Sequence, residues 1–500
     1  MLCRNRDPIK ARVLPTVLSM IGMLGAASGA IAQEVAPEKK QPAEPKATEL
    51  TVSPRFAPTP ALRYRLLPLE SERTPGDAAP IYLRLGSENG EEGRRQIRQE
   101  PASLLELPFV KFPVADARKL VDGWGGRLKQ MEFGARRRTC NWNYTLPEQR
   151  ERAFNIMLPD AQELRNWARL LSVKARVAIA EHKDEDAIRT LETGLAFSRH
   201  LADGPFLINQ MVGIASAHLM LDRVEELVVQ PDAPNLYWAL TSLPRPLIDV
   251  RHAVETEQKM GDWELPEISE PDHPRTEAEW ASLLVRLHAR MTSLEKALAT
   301  NFTIDPGGPK IADLAAFKVA VLPEARTYTK ERRVSIEGLS DDQIILVFIA
   351  GRYSELRDEH FKPSYLPFPE ALPLYVGADD KLKAISKGPL SVLASLMSKF
   401  VMSSHTASVR LDRRVAALRV IEALRLHLAA NPGPLPGALD LIAIVPIPSD
   451  PVTGRPFEYR LEGETAVLVG PKISPWPADQ HGTTFFPPSP GLTYRITLRK

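Results

Sequence analysis

Cysteine is almost absent from this chain of 500 residues, which contains only Cys3 and Cys140. Cys3 falls in an amino-terminal segment that we expect to be removed, so Cys140 is left alone and no intramolecular disulfide can form. A lone cysteine is more often buried than reactive, because the free thiol is among the most buried side chains. Stability must therefore come from an apolar core. With 44% apolar residues, the chain can build two or three domains.

The motifs that mark common catalytic centres are also missing. The sequence has no H-E-x-x-H, C-x-x-C or G-x-S-x-G pattern and no phosphate-binding G-x-x-x-x-G-K-[ST] loop. Its ten histidines are spread along the chain, with no pair at the spacing of metal ligands. We therefore expect no metal and no cofactor, and the sequence favours a protein that is not an enzyme.

Neither sign of charge dominates the chain that we expect to be exported. The whole sequence has a formal net charge of +2, whereas residues 1–32 hold four basic residues and Asp7, a net of +3. Subtracting +3 from +2 leaves −1 for residues 33–500. Such a balance gives no reason to expect nucleic acid as a partner.

The first 32 residues have the pattern of a secretory signal peptide. Twenty uncharged residues, 13–32, end in small side chains at an A-x-A site and follow four basic residues, Arg4, Arg6, Lys10 and Arg12. An uncleaved membrane anchor is the alternative, since twenty apolar residues can just span a bilayer. In either case we expect the remaining chain to be periplasmic or secreted, with the membrane involved only through this segment.

Proline, in contrast to cysteine, is abundant. The chain has 45 prolines, nearly twice the usual share of about 5%. They concentrate at 33–80, 231–274, 362–373 and 431–490, which predicts helices separated by stiff joints. Residues 33–60 contain Pro, Glu, Lys and Ala with little to bury, and this composition predicts a disordered tether.

Apolar side chains at helical spacing dominate from about residue 116 onward. They predict three consecutive helices, the first after Pro159, the second from about Ala187 and the third after Gly204. Later helices are predicted at about 247–260, 276–300, 311–335, 341–361, 379–402 and 406–430. Alternating side chains at 457–461, a turn at 462–464 and further strands at 465–469 and 493–498 predict a small β element.

These patterns together predict a mainly α fold, a multi-helix array or bundle of antiparallel helices with a small C-terminal β-hairpin element. The expected order along the chain is a signal peptide, a tether, an N-terminal helical domain, a second helical domain and a Pro-rich tail with the β element. Their predicted bounds are 1–32, 33–60, 61–262, 275–430 and 431–500.

Two segments resemble parts of known families. Residues 164–201 resemble a tetratricopeptide hairpin, although Gly194 and Arg199 stand where that pattern has Ala and Pro. The residues at its packing positions are Leu171, Ala175, Ala178, Ala187 and Leu191. Residues 415–470, with D-P-V-T-G-R-P-F-E-Y at 450–459, resemble the C-terminal domain of pseudopilins. The ordinary signal at the start of the chain departs from the pseudopilin assembly helix, and a Pro/Gly turn that feeds a hairpin is the alternative interpretation.

Most of the chain is similar to uncharacterised exported proteins of planctomycete-type bacteria. The resemblance is carried by stretches such as PALRYRLLPLESERTPGDAAPIYLRL at 60–85, DGPFLINQMVGIA at 203–215 and APNLYWALTSLPRPLIDVR at 233–251. It implies no known activity.

Two groups of residues are candidates for a functional site. His218 and Asp222 lie one turn apart on a predicted helix, where the carboxylate could orient a general base. Such pairs are also common on the surfaces of ordinary helices. Tyr237, Trp238 and Arg245 could form a recognition surface, because aromatic and Arg side chains dominate contact energies, or they could pack as core between helices.

The leading functional hypothesis is an exported, non-enzymatic helical interaction or scaffold protein of the bacterial cell envelope, with another envelope protein as its partner. One alternative is a hydrolase or binding protein for an envelope polymer or small ligand, with its site between helical sub-domains and His218 and Asp222 as the first residues to test. Another alternative is a secretion-apparatus accessory protein, which rests on the pseudopilin-like segment.

Overall fold

The computed structural model describes residues 47–87, 90–144, 159–268, 274–302, 313–333, 335–385, 388–396, 400–472 and 491–499. The predicted signal peptide and residues 33–46, half of the predicted tether, lie outside these residues. Within them the fold is mainly α with a small C-terminal group of strands, as the sequence predicts.

Fifteen helices run through the described part of the chain. The first four are α1 (Ala79–Ser87), α2 (Glu91–Glu106), α3 (Val114–Gly123) and α4 (Gly125–Ala135). Three long helices follow, α5 (Pro159–Ala180), α6 (Asp184–Ala202) and α7 (Leu207–Val228). The other eight are α8 (Tyr237–Thr241), α9 (Arg251–Glu264), α10 (Glu277–Phe302), α11 (Leu314–Glu331), α12 (Asp341–Phe361), α13 (Phe368–Ile385), α14 (Ser391–Leu396) and α15 (Phe400–Ala430).

Four strands form a sheet in the order β1-β6-β5-β4. β4 (Glu458–Glu462) and β5 (Thr465–Gly470) make the predicted antiparallel hairpin, which turns at Gly463 with a positive φ of 64°. β6 (Leu492–Leu498) pairs antiparallel with β5, and β1 (Thr48–Val52) pairs parallel with β6. A second sheet has two short strands, β2 (Thr74–Asp77) and β3 (Arg137–Thr139).

Strand β1 corrects the prediction of a tether at 33–60. Leu50 and Val52 are buried, whereas Glu49 and Thr51 are exposed, so the five residues alternate as a strand with one face on the core. Composition missed this strand because the apolar positions are few and their neighbours are rich in Pro, Glu and Lys. Residues 48–52 therefore add an outer strand to the C-terminal sheet.

The single helix predicted at 379–402 is also wrong. Helix α13 begins earlier, at Phe368, and α14 is a separate short helix before α15. Prolines near residue 370 predicted a joint, but the helix contains two of them: Pro369 falls in the first turn of α13, where a backbone N–H has no helical partner to lose, and Pro373 lies inside the helix. Helices α1 and α2 likewise precede residue 116, where the helical pattern was expected to begin.

Two helix starts carry residues with the spacing of a capping box, and the reciprocal box forms at α10, whereas α12 has only the serine cap. At α10 the backbone N–H of Glu279 donates to Thr276 Oγ1 at 3.3 Å, and the N–H of Thr276 donates to Glu279 Oε2 at 2.6 Å. At α12 the backbone N–H of Gln343 donates to Ser340 Oγ at 3.3 Å. These side chains satisfy N–H groups that the first helical turn leaves without partners, which is why the helices begin where the sequence indicates.

Helices α5, α6 and α7 pack on one another in the N-terminal half of the chain. The predicted apolar stripe of α5 is buried, and its members are Leu164, Ala168, Leu171, Ala175 and Ala178. The stripe of α7 at the same helical spacing is only partly buried: Val212 is buried, whereas Ile208, Ala215 and Leu219 are half-buried. Helix α7 is instead enclosed by α5 and α6 on one side and α15 on another, so its buried residues do not follow a single face.

A buried ion pair joins helix α15 to the C-terminal tail. The side chains of Arg413 and Asp450 are 2% and 0% exposed. Arg413 Nε and Nη2 donate to the two carboxylate oxygens of Asp450 at 2.8 and 2.7 Å, and Nη1 donates to the carbonyl oxygen of Pro471 at 2.8 Å. The turn at Asp450, which resembles the pseudopilin segment, is thereby fixed against the preceding helix.

Within the described ranges, every helix is too short or too polar to cross a membrane.

We predict that Gly213→Ala destabilises the protein by about 1–3 kcal/mol. A methyl group at this position of α7 would lie 2.6 Å from the backbone carbonyl oxygen of Ser198 on α6, and backbone atoms cannot move aside cheaply. The matched control is Gly377→Ala, at an exposed position in α13 with no atom within 4 Å of the new methyl group. This control should gain about 0.5–1 kcal/mol. Denaturant unfolding measures both, and equal effects would contradict the close approach of α6 and α7.

Candidate functional site

His218 and Asp222 lie one turn apart on α7, as predicted, and both contact Arg414 of α15. Arg414 Nη2 donates to Asp222 Oδ1 at 2.6 Å, and Nη1 donates to the carbonyl oxygen of His218 at 3.2 Å. Asp222, which could have oriented the imidazole of His218, therefore binds the guanidinium of Arg414.

The contact with Arg414 and the lowered pKa together assign to His218 the neutral tautomer with its proton on Nε2. Arg414 Nη1 lies 3.4 Å from His218 Nδ1, and because a guanidinium can only donate, Nδ1 is the acceptor. Burial lowers the pKa of His218 to about 3, and the charges of Arg414 and Arg410 lower it further. A histidine with this pKa is a weak general base at neutral pH.

Glu225, one turn after Asp222 on α7, accepts hydrogen bonds from the same guanidinium and from a tyrosine. Arg414 Nε donates to Glu225 Oε1 at 2.8 Å, and the hydroxyl of Tyr494 on β6 donates to the same oxygen. Burial raises the pKa of Tyr494 well above its ordinary value, and the charge of Glu225 raises it further, so the hydroxyl stays protonated as a donor. These contacts join α7, α15 and the sheet.

Glu226, the next residue of α7, belongs to a second group of charges. Glu226 Oε1 lies 3.0 Å from Nη2 of Arg176 on α5 and 3.3 Å from Nη2 of Arg223. Burial raises the pKa of Glu226, and the two guanidinium charges oppose that shift. Three arginines and three carboxylates thus form two groups, one between α7 and α15 and the other between α5 and α7. We call this set the α7 charge network: Arg176, Asp222, Arg223, Glu225, Glu226 and Arg414.

Arg176 also fixes the segment between α2 and α3. Its Nη1 and Nη2 donate to the carbonyl oxygens of Leu104 and Leu107 at 3.0 and 2.8 Å. Its guanidinium lies 4.7 Å from the ring centre of Phe112, a distance typical of a cation–π contact. Val110, in the middle of the segment, is 91% exposed. The buried arginine therefore holds a backbone that presents an apolar side chain to solvent.

The three residues proposed as a recognition surface divide between core and surface. Tyr237 is buried, its hydroxyl donates to the carbonyl oxygen of Pro446, and Arg419 lies over its ring at 5.4 Å. Trp238 is half-buried against Tyr237, and Arg245 is exposed. Tyr237 therefore packs as core, whereas Trp238 and Arg245 are the two of the three residues that reach the surface.

The described residues include no cluster of three or more His, Cys, Asp or Glu side chains that could hold a metal ion. Cys140 is a buried free thiol, as expected of a lone cysteine. Burial raises the pKa of this thiol far above its ordinary value, so the reactive thiolate does not form at neutral pH.

Sequence reasoning missed the partners of His218 and Asp222. Arg414 and Tyr494 lie far away in the chain, and no local spacing connects them with α7. One signal was present in the sequence: α15 carries five arginines at 410, 413, 414, 419 and 425 among apolar residues, and α7 ends in the acidic run D-R-V-E-E. Two long helices with such complementary charges are candidates for packing together.

The chain matches no family model, no curated protein and no solved structure. The role of these residues is therefore argued from their geometry and chemistry.

We predict that the imidazole of His218 stays neutral from pH 7 down to about pH 4. The stability that depends on the neutral ring is present above the ordinary pKa of histidine, about 6.5, and is lost as the pH falls towards 3. Two-dimensional NMR of the imidazole nitrogens reports the tautomer and the titration, with Nε2 protonated. Protonation near pH 6.5 would contradict the placement beside Arg414 and would restore His218 as a general-base candidate.

Proposed function

We propose that the chain is an exported, non-enzymatic interaction or scaffold protein of the bacterial cell envelope, whose partner is another envelope protein. The observation that supports this most is the pairing within the α7 charge network. Asp222 and Glu225 are both bound to Arg414, and the Nδ1 of His218 faces the same guanidinium. The groups that could have served as acid and base are thus used to join helices.

The segment held by Arg176 is the surface that we assign to the partner. Val110 is 91% exposed and Leu107 is 37% exposed, while the backbone of the segment is bonded to a buried side chain. An apolar side chain on a fixed backbone loses little conformational freedom when it binds, which favours association. Trp238 and Arg245 form a second candidate surface, with less apolar area free.

The experiment is an affinity pull-down from a native envelope fraction with residues 33–500, in which the eluates are analysed for proteins and for small molecules. We predict that one protein partner is captured by the parent chain and that Val110→Asp reduces its capture at least tenfold, because a charge on the contact would have to be desolvated. Val319→Asp is the matched control, since Val319 is a 76% exposed valine on α11. Both substitutions should leave the unfolding temperature unchanged.

Equal capture by both variants would exclude the segment at Val110 as the interface. A glycan or small molecule in the eluate, without any protein, would contradict the scaffold proposal and favour a binding protein or hydrolase for an envelope polymer. His218→Ala would then be the next variant.

A further inference from the structure

Strand β4 is an outer strand of the four-stranded sheet, and one of its edges has no neighbouring strand in the described part of the chain. The turn at Gly463 decides which backbone groups point to that edge. Glu462 and Thr465 flank the turn and form the pair that closes the hairpin, so the backbone groups of every second residue back from Glu462 point towards β5. Those of Tyr459 and Leu461, which lie between, therefore point away from β5.

The outward groups of Tyr459 and Leu461 are N–H donors and C=O acceptors in regular alternation. Among the described residues, no backbone group outside the sheet is bonded to them. The side chain of Leu461 is 38% exposed at this edge, although its neighbours across the sheet, Ala466 and Ile496, are buried. An unpaired edge with an apolar side chain on its core face is a template for another extended segment.

The outer face of β4, as far as the structure describes it, has one carboxylate without an ion-pair partner. Glu462 accepts from Arg460 Nε at 3.0 Å and from Arg495 Nη1 at 2.7 Å. Glu458 is exposed, its neighbour on β5 is Val469, and within the described ranges no basic side chain lies within ion-pair distance of it. Opposite charges directly across two strands attract, so Glu458 favours a basic residue on any strand laid along this edge.

We propose that β4 binds an extended segment of another protein, which adds a strand to the sheet with a Lys or Arg opposite Glu458 and apolar side chains opposite Tyr459 and Leu461. The main-chain hydrogen bonds supply affinity in such a complex, and the alternate side chains supply specificity. This surface goes beyond the one proposed at Val110 and does not depend on it, because the two are tested with different variants and different probes.

A second copy of the chain fits this edge less well. The antiparallel register that pairs the outward groups of Tyr459 with those of Leu461 in both copies is centred on Arg460. It places Arg460 opposite its own copy and Glu458 opposite Glu462, and like charges directly across two strands repel. The charges of β4 thus favour a segment of different sequence.

The test uses the parent chain, residues 33–500, and a capped synthetic peptide that contains Thr-Val-Thr-Val-Lys. Laid antiparallel to β4, this order puts the valines opposite Leu461 and Tyr459 and the lysine opposite Glu458. We expect the peptide to slow hydrogen exchange at the amides of Tyr459 and Leu461, because their N–H groups gain acceptors. The amides that already point towards β5 should change little.

Two variants separate the backbone contacts from the charge. Leu461→Pro removes an outward N–H and leaves the bonds to β5 in place, since proline is tolerated at an open strand edge, and it should weaken peptide binding about tenfold. Leu461→Thr keeps the N–H and is the matched control, which should bind more tightly than Leu461→Pro. A peptide with glutamate in place of the lysine should bind the parent chain more weakly, and Glu458→Lys should reverse the order of the two peptides.

Unchanged exchange at Tyr459 and Leu461 at the highest peptide concentration, or equal binding by Leu461→Pro and Leu461→Thr, would overturn the proposal. Protection of these amides that rises with protein concentration, without any peptide, would also overturn it and would assign the edge to a second copy. If Leu461→Pro does not fold, the unmodified chain decides the question with a peptide N-methylated at both valines. That peptide lacks the donors for the edge, so binding as tight as that of the parent peptide would contradict the proposal.

Discussion

The buried ion pair between Arg413 and Asp450 is the constraint on which the rest of the architecture depends. Both side chains are removed from water and joined by two parallel hydrogen bonds. Leaving one of the two charges buried alone costs about 3–5 kcal/mol, so α15 and the turn before the hairpin must fold together. Once this turn is fixed, the sheet lies against α15, and Tyr494 reaches Glu225 on α7.

A second buried arginine of α15 binds the backbone near the start of the described chain. Arg425 pairs with Glu422 and donates to the carbonyl oxygens of Ser53, Ala233 and Pro234. These bonds give each of the three carbonyl oxygens a donor where the backbone is wholly or partly removed from water. Helix α15 thus contacts the residues just after β1, the loop before α8, helix α7 and the tail. These contacts cross the predicted bounds at 61–262, 275–430 and 431–500. The same helix carries Arg414, so the arrangement of His218 and Asp222 is a consequence of how the chain is held together.

Much of the fold could be predicted from the sequence where its cause is local. The capping box at Thr276, the serine cap at Ser340 and the hairpin around Gly463 depend on residues a few positions apart, and the structure contains all three. β1 could not be predicted, because its partner lies at the other end of the chain; Thr51 and Thr497 bond across 446 residues. The candidate site, too, could be predicted only where its residues are close in sequence. The spacing of His218 and Asp222 was visible, whereas Arg414, 192 residues from Asp222, decides their chemistry and belongs to another helix.

The most direct test of this account is amide hydrogen exchange on the parent chain and on Asp450→Asn. If α15 couples the tail to the helical body, Asp450→Asn will speed exchange in β5, in α15 and in α7 by similar factors, because these elements open together. Glu462→Gln is the control, since the Arg460–Glu462 pair is 58% and 40% exposed and such pairs contribute little. Faster exchange confined to residues 449–456, with α7 unchanged, would contradict the central role of the buried pair.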